Sequence, residues 1–235
     1  MATLLSAIET QVRRHLMETT ASFWSSDELI DIANKGIRDL WRDIVDLKQE
    51  HFLTIDTTNV SLAASTATIT GVPTDVHKVY LIEPRDMTST GSNQGLTFER
   101  KEYNGDDFQL ARAVSDISPT NAVIYYAVVG QGATVAAPTI YVAPQTTSAV
   151  NLTLGYVPTL GALTAASNNP IPGDSENAVI AWTVAFARAK EREDRSPDSA
   201  WLTVYATEKQ HLLQSLGLRD YSKPEYVEAM WKEYW

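Results

Sequence analysis

The chain has 235 residues, 44% of them hydrophobic and 20% charged, with a formal net charge of −10 and no cysteine. The missing thiols exclude disulfide frameworks, thiolate metal sites and thiol nucleophiles. The acidic balance argues against a grip on nucleic acid, which draws its affinity from clustered Lys and Arg; the densest basic text is Arg13-Arg14 and the mixed run Lys190 to Arg195. No apolar run approaches the roughly 18 residues of a membrane span, and polar residues interrupt Met1 to Glu18 too often for a signal peptide.

Leu4, Leu5, Ile8, Val12 and Leu16 recur at helical spacing and predict a first helix from Thr3 to Glu18. Thr19-Thr20-Ala21-Ser22 breaks it. Ser25 with Glu28 three residues on is a capping box, and Trp24 with Leu29 fits a hydrophobic staple. The helix these signals open carries Leu29, Ala33, Gly36, Ile37, Leu40, Ile44 and Leu47 on one face and charges on the other. Gly36 lies within the apolar stripe, where it costs roughly 1 kcal/mol against Ala, so it is expected to admit a close neighbour.

From Glu50 to Pro158 the text changes to short Val-, Ile-, Thr- and Tyr-rich segments punctuated by Gly, Pro and Asn. Strands are predicted at Phe52–Thr57, Ala67–Thr70, Val76–Glu83, Ala122–Val129, Thr139–Val142 and Asn151–Tyr156, with a loop over Thr88 to Gly95 and a short helical turn near Asp106 to Val114.

Helical text returns at Ile171. Asp174 or Ser175 is the expected cap of a helix running to Glu193, on which small residues alternate with Trp182 and Phe186. Ser196-Pro197 reads as a second helix start, and Gly217 as its stop. The economical fold class is α+β: a helical bundle formed by the N- and C-terminal helices (1–48 and 171–217) with an inserted antiparallel β module (49–170). A C-terminal aromatic extension (218–235) follows. It holds Tyr221, Tyr226, Met230, Trp231, Tyr234 and Trp235, residue types suited to docking on a partner or a neighbouring subunit, or to packing on their own core.

Chemistry is harder to find. His15, His51, His77 and His211 lack metal-site spacing, and no nucleophile elbow, Walker loop or dinucleotide fingerprint occurs. No catalytic residue, cofactor or metal site is expected. Glu99, Asp106 and Asp107 could serve a glycoside-cleaving pair, which would need one of them buried with a raised pKa. Tyr125, Tyr126 and Tyr141 could form a glycan- or receptor-binding platform. Glu191 and Arg195 stand at i,i+4, either as a solvated pair or as a contact between subunits, and Gly36 is a third candidate for subunit packing.

Four stretches, in this order, resemble the head–tail connector or adaptor family of tailed phages. They are Phe23 to Ile30, Asn34 to Leu40, Val72 to Leu81, and Ile171 through Glu191 with the Ala200-to-Tyr205 helix after it. The resemblance implies a non-enzymatic ring of about twelve copies under the portal protein, with helices packed side by side. The ring would extend the channel, let DNA pass without specific binding, and dock the next tail or nozzle protein, with the C-terminal extension reaching the portal. It implies assembly from host cytoplasm into the neck of the virion, no membrane and no cofactor.

Overall fold

The computed structural model describes residues 3–18, 23–85, 93, 95–130, 137–171, 175–193 and 196–218. Along them run α1 (Leu5–His15), α2 (Ser26–Lys48), a 3-10 turn (Gln49–Phe52), β1 (Thr54–Asp56), β2 (Ser61–Leu62), β3 (Ile69–Thr70), β4 (Val76–Pro84) and β5 (Thr97–Arg100). Then follow α3 (Asp106–Arg112), β6 (Val123–Val129), β7 (Thr139–Ala143), β8 (Val150–Pro158), α4 (Glu176–Glu191) and α5 (Ser199–Leu218). The chain is α+β and divides into two compact units: Met1–Lys48 with Leu160–Trp235, and Gln49–Thr159.

In the first unit α1, α2, α4 and α5 pack on one another. The α2 start has the reciprocal bonds of a capping box: the Ser25 N–H donates to Glu28 Oε2 and the Glu28 N–H to Ser25 Oγ, both at 3.2 Å. Trp24 and Leu29 are both buried. α4 is covered on every side, with Ala178, Val179, Ala181, Val184, Ala185 and Ala187 all at most 1% exposed; small residues there let its neighbours come close. α5 begins after Asp198, whose Oδ1 accepts the Ala200 and Trp201 N–H groups at 3.0 and 3.3 Å. Ser196-Pro197 therefore precedes the cap rather than forming it, because the carboxylate reaches the first-turn donors. At the start of α4, Ser175 makes no capping bond and its hydroxyl instead accepts from Asn169 Nδ2 at 2.9 Å.

Residues 160–170, expected within the β module, belong to the helical unit. α1 has no side-chain cap. Its orphan first-turn donors go instead to this segment: Leu5 N–H to Ser167 O at 3.0 Å and Ser6 N–H to Ala165 O at 3.1 Å. Asn34 of α2 clamps the same segment, donating to Leu163 O at 2.8 Å and accepting its N–H at 3.2 Å. α1 ends in a Schellman turn, with Glu18 N–H on Arg13 O at 2.9 Å and Met17 N–H on Arg14 O at 3.2 Å. Met17 takes the left-handed position at φ 58°.

In the second unit β8 is the hub. It pairs antiparallel with β4 on one edge and with β1 and β2 in succession on the other, and β3 adds to β2. A second sheet has the order β5-β6-β7. Its β5–β6 pair is parallel, a departure from the all-antiparallel expectation. β2 and β5 were absent from the predicted strands. Val60, Leu62, Val79, Ile82, Ile124, Ile140, Leu152 and Leu154 form one buried cluster contributed by both sheets. α3 lies across β6 and β7 and buries Phe108 completely.

Candidate functional site

The six aromatic and Met residues singled out in the extension (Tyr221, Tyr226, Met230, Trp231, Tyr234 and Trp235) lie outside the described residues, as does Arg195. Gly36 is described, and its close neighbour belongs to the same chain. A Cβ built there would stand 2.7 Å from Cγ and Cδ1 of Trp182 on α4, so the glycine serves packing inside the helical unit rather than a subunit contact. Glu191 is exposed at the end of α4, where it lines a cavity of about 470 Å³ with His15, Leu16, Met17, Arg188 and Arg192.

That corner is held by a charge cluster. Asp198 receives Arg192 and stands 3.8 Å from Arg188, and the Arg188 guanidinium also donates to His15 O at 3.3 Å. Among the described residues both cations of this corner, Arg188 and Arg192, are engaged by Asp198 and backbone. A second knot closes the α1–α2 turn. Arg13, 8% exposed, donates through both terminal nitrogens to Trp24 O at 3.1 Å and pairs with Glu9 at 2.8 Å and Glu18 at 3.4 Å. Glu18 in turn accepts the Phe23 N–H at 2.5 Å. The pair Arg13-Arg14 is thus split in role: Arg13 is an internal brace, and Arg14 is exposed.

A third knot ties α2 to α5. Lys209 Nζ lies 2.7 Å from Asp39 and 2.6 Å from Asp43, and Tyr205 donates its hydroxyl to Asp39 at 2.5 Å. Burial works against ionising Asp39, but the Lys209 ammonium and the Tyr205 hydroxyl outweigh it and hold the carboxyl below its ordinary value. Lys209 is likewise penalised by burial, yet its two carboxylate partners raise it above the usual lysine value. Burial and the Asp39 bond push the Tyr205 hydroxyl far up.

In the β unit Glu99, Asp106 and Asp107 are all exposed, and Asp107 is paired with Lys101 at 3.0 Å. The burial that a hydrolytic carboxylate would need is missing at all three. Tyr126 is buried, and Tyr125 and Tyr141 are half-buried against the α3 cluster. The Tyr141 ring packs tilted against that of Tyr103, centroids 4.9 Å apart, and Lys101 sits 5.1 Å from the centre of the Tyr125 ring. The three tyrosines are therefore packing residues in this fold, not an open platform. Among the described residues no group of His, Asp and Glu is arranged to hold a metal ion, and no helix is long and apolar enough to cross a membrane.

The surfaces of α2 and α5 differ in kind. On α2 the exposed residues include Asp27, Glu28, Asp31, Lys35, Arg38, Arg42 and Asp46. On α5 the exposed positions of the described side chains hold no Asp, Glu, Lys or Arg, and its two formal charges, Glu208 and Lys209, are half-buried. Sequence periodicity concealed this, since uncharged polar residues (Thr203, Thr207, Gln210, Gln214) stand where a solvated face normally carries charges; the signal available was the run Ala200 to Thr207 without a charge. No protein-family model and no curated protein matches this chain.

Proposed function

We propose that this chain is a structural, non-enzymatic head-to-tail adaptor of a tailed phage, forming a ring of about twelve copies beneath the portal. What carries the reading is the splicing of the fold. Helices from both ends of the sequence join in one compact unit, and a β unit is inserted between α2 and α4, the organisation that the family resemblance implies. The net charge of −10 suits a channel that DNA crosses without sticking. The exposed Glu99, Asp106 and Asp107 lend no support to a cell-wall hydrolase. On this reading the ring lengthens the DNA channel and offers a platform to the next tail protein, in the virion neck, with no cofactor. The aromatic extension beyond α5 provides the portal contact.

The test is the mass of the complex formed with the portal ring of the same phage, for the full chain and for a version ending at Gly217. The reading expects about one copy bound per portal subunit, and loss of binding on truncation. No binding by either version refutes it and turns attention to cell-wall and glycan assays on the β unit.

A further inference from the structure

The two sheets of the β unit are laced together along one side. The Val142 N–H of β7 donates to Ala67 O at 2.9 Å, and Thr68 pairs with Tyr141, just ahead of β3. The hydrogen-bonded order therefore runs from β5 through β6, β7, β3, β2 and β8 to β4. Its two ends, β5 and β4, do not pair with each other among the described residues. On β5 the Thr97 and Lys101 N–H groups turn to Ala122 O and Tyr126 O at 2.9 Å each, so strand alternation directs those of Phe98 and Arg100 away from β6. On β4 the Arg85 N–H turns to Asn151 O at 2.9 Å, and the same alternation directs the Ile82 backbone away from β8.

A cavity of about 390 Å³ lies at this seam, lined by Ile82, Pro84, Leu96, Phe98 and Tyr126 among others. Tyr126 is only 4% exposed, yet its hydroxyl bonds to no described residue, whereas a buried phenol normally finds a partner. The seam thus combines open strand edges, an apolar pocket and one unmatched polar group. An extended peptide answers all three: its main chain pairs with an edge and one side chain fills the pocket. That side chain needs an apolar body and a polar tip, the chemistry of Tyr or Trp.

We propose that the seam between β4 and β5 seats residues 219–235 of this chain as an added strand, with one aromatic side chain in the cavity bonding to Tyr126 Oη. This segment follows α5 and carries Tyr221, Tyr226, Trp231, Tyr234 and Trp235. Its charges nearly cancel, with Arg219, Lys223 and Lys232 against Asp220, Glu225, Glu228 and Glu233. It therefore adds little repulsion on a chain of net charge −10. On the adaptor reading the portal takes the same segment, which makes the seam its seat in the unassembled chain.

A fluorescently labelled synthetic peptide of residues 218–235 tests the seat by anisotropy. The version ending at Gly217 should bind it saturably, and the full chain about tenfold more weakly or worse, since its own extension competes. A peptide with all five Tyr and Trp residues replaced by Ala should not bind. In the shortened version Tyr126→Phe removes only the hydroxyl and should weaken binding about fivefold. Ile82→Pro removes a seam-side donor while sparing the β8 ladder, as edge strands tolerate, and should weaken it about tenfold. Circular dichroism confirms that each variant folds.

Absence of saturable binding at the highest attainable peptide concentration overturns the proposal. So does binding that Tyr126→Phe and Ile82→Pro both leave unchanged, or a full chain that takes up the peptide as tightly as the shortened one. Portal binding by the full chain without any peptide binding refutes the seam alone. Peptide binding at the seam without portal binding refutes the adaptor reading alone.

Discussion

Replacing Gly36 by alanine should destabilise the helical unit, against the sign that helix propensity gives. In an open helix the change stabilises by about 1 kcal/mol. Here the new methyl would lie 2.7 Å from Cγ and Cδ1 and 3.2 Å from Cβ of Trp182. Those atoms are the root of the indole and cannot swing aside. The ring is also held, with its centroid 4.5 Å from that of Phe186 and 5.0 Å from that of Tyr205. α2 and α4 must therefore part, and overpacking of this kind costs about 1–3 kcal/mol. The net expectation is a loss of about 1 kcal/mol for Gly36→Ala, and about 3 kcal/mol for Gly36→Val, which adds bulk on a β-branched side chain. Urea unfolding followed by tryptophan fluorescence and far-UV circular dichroism measures both. The double-mutant cycle is the sharper assay. In a Trp182→Ala background the methyl has room, so Gly36→Ala should become stabilising by about 1 kcal/mol, a coupling of about 2 kcal/mol. A Gly36→Ala protein more stable than the parent in the unmodified background would refute the close-approach argument.

Other perturbations follow from the knots that hold the helices. Arg13→Met should cost about 3 kcal/mol, because it leaves the partly buried Glu9 and Glu18 without their cation; denaturant midpoints at neutral pH report it. Asp39 has a depressed pKa in the fold, so its contribution is present above the unfolded value and is lost as pH falls through the folded one. Asp39→Asn should accordingly flatten the fall in urea midpoint between about pH 5 and pH 3, and an unchanged slope would remove Asp39 from the acid response. Met17, 92% exposed at φ 58°, occupies the position of a helix stop that favours glycine. Met17→Gly should stabilise by about 1 kcal/mol, seen as a higher melting temperature.

What could be read from the residues was mostly local. The Ser25–Glu28 box is a four-residue signal whose partners sit on the same turn, so it is written in the sequence and found in the fold. Gly36 announced a close approach, but a glycine does not name its neighbour, and the indole that fills the space comes from Trp182, far along the chain. The cap of α5 was placed on Ser196-Pro197 although Asp198 stood next to it; the carboxylate won because it takes two N–H groups and two arginines at once. β5 escaped notice because Thr97-Phe98-Glu99-Arg100 is short and polar, and only pairing with β6 makes it a strand. The same logic moved residues 160–170: without regular structure of their own, they are defined by the α1 donors they satisfy. Of the expected docking and subunit residues, Glu191 is seen exposed and Gly36 is turned inward, and the rest lie outside the described residues.

The hub position of β8 has a consequence for how the chain folds as it is made. Synthesis delivers α1 and α2 first, with Ile37, Leu40 and Ile44 needing a cover that only α4 and α5 complete. The β unit comes next, and it too stays open until its final strand arrives, because β1, β2 and β4 all pair with β8. Once β8 leaves the ribosome, the second unit can close while α4 is still being translated. The helices at the start of the chain must wait through that whole interval, with their apolar stripe exposed to chaperones or to a neighbouring nascent copy. The inserted unit thus has all its strands before the unit that encloses it in sequence has all its helices, and the latter is complete only when Trp182 is in place to fill the space over Gly36.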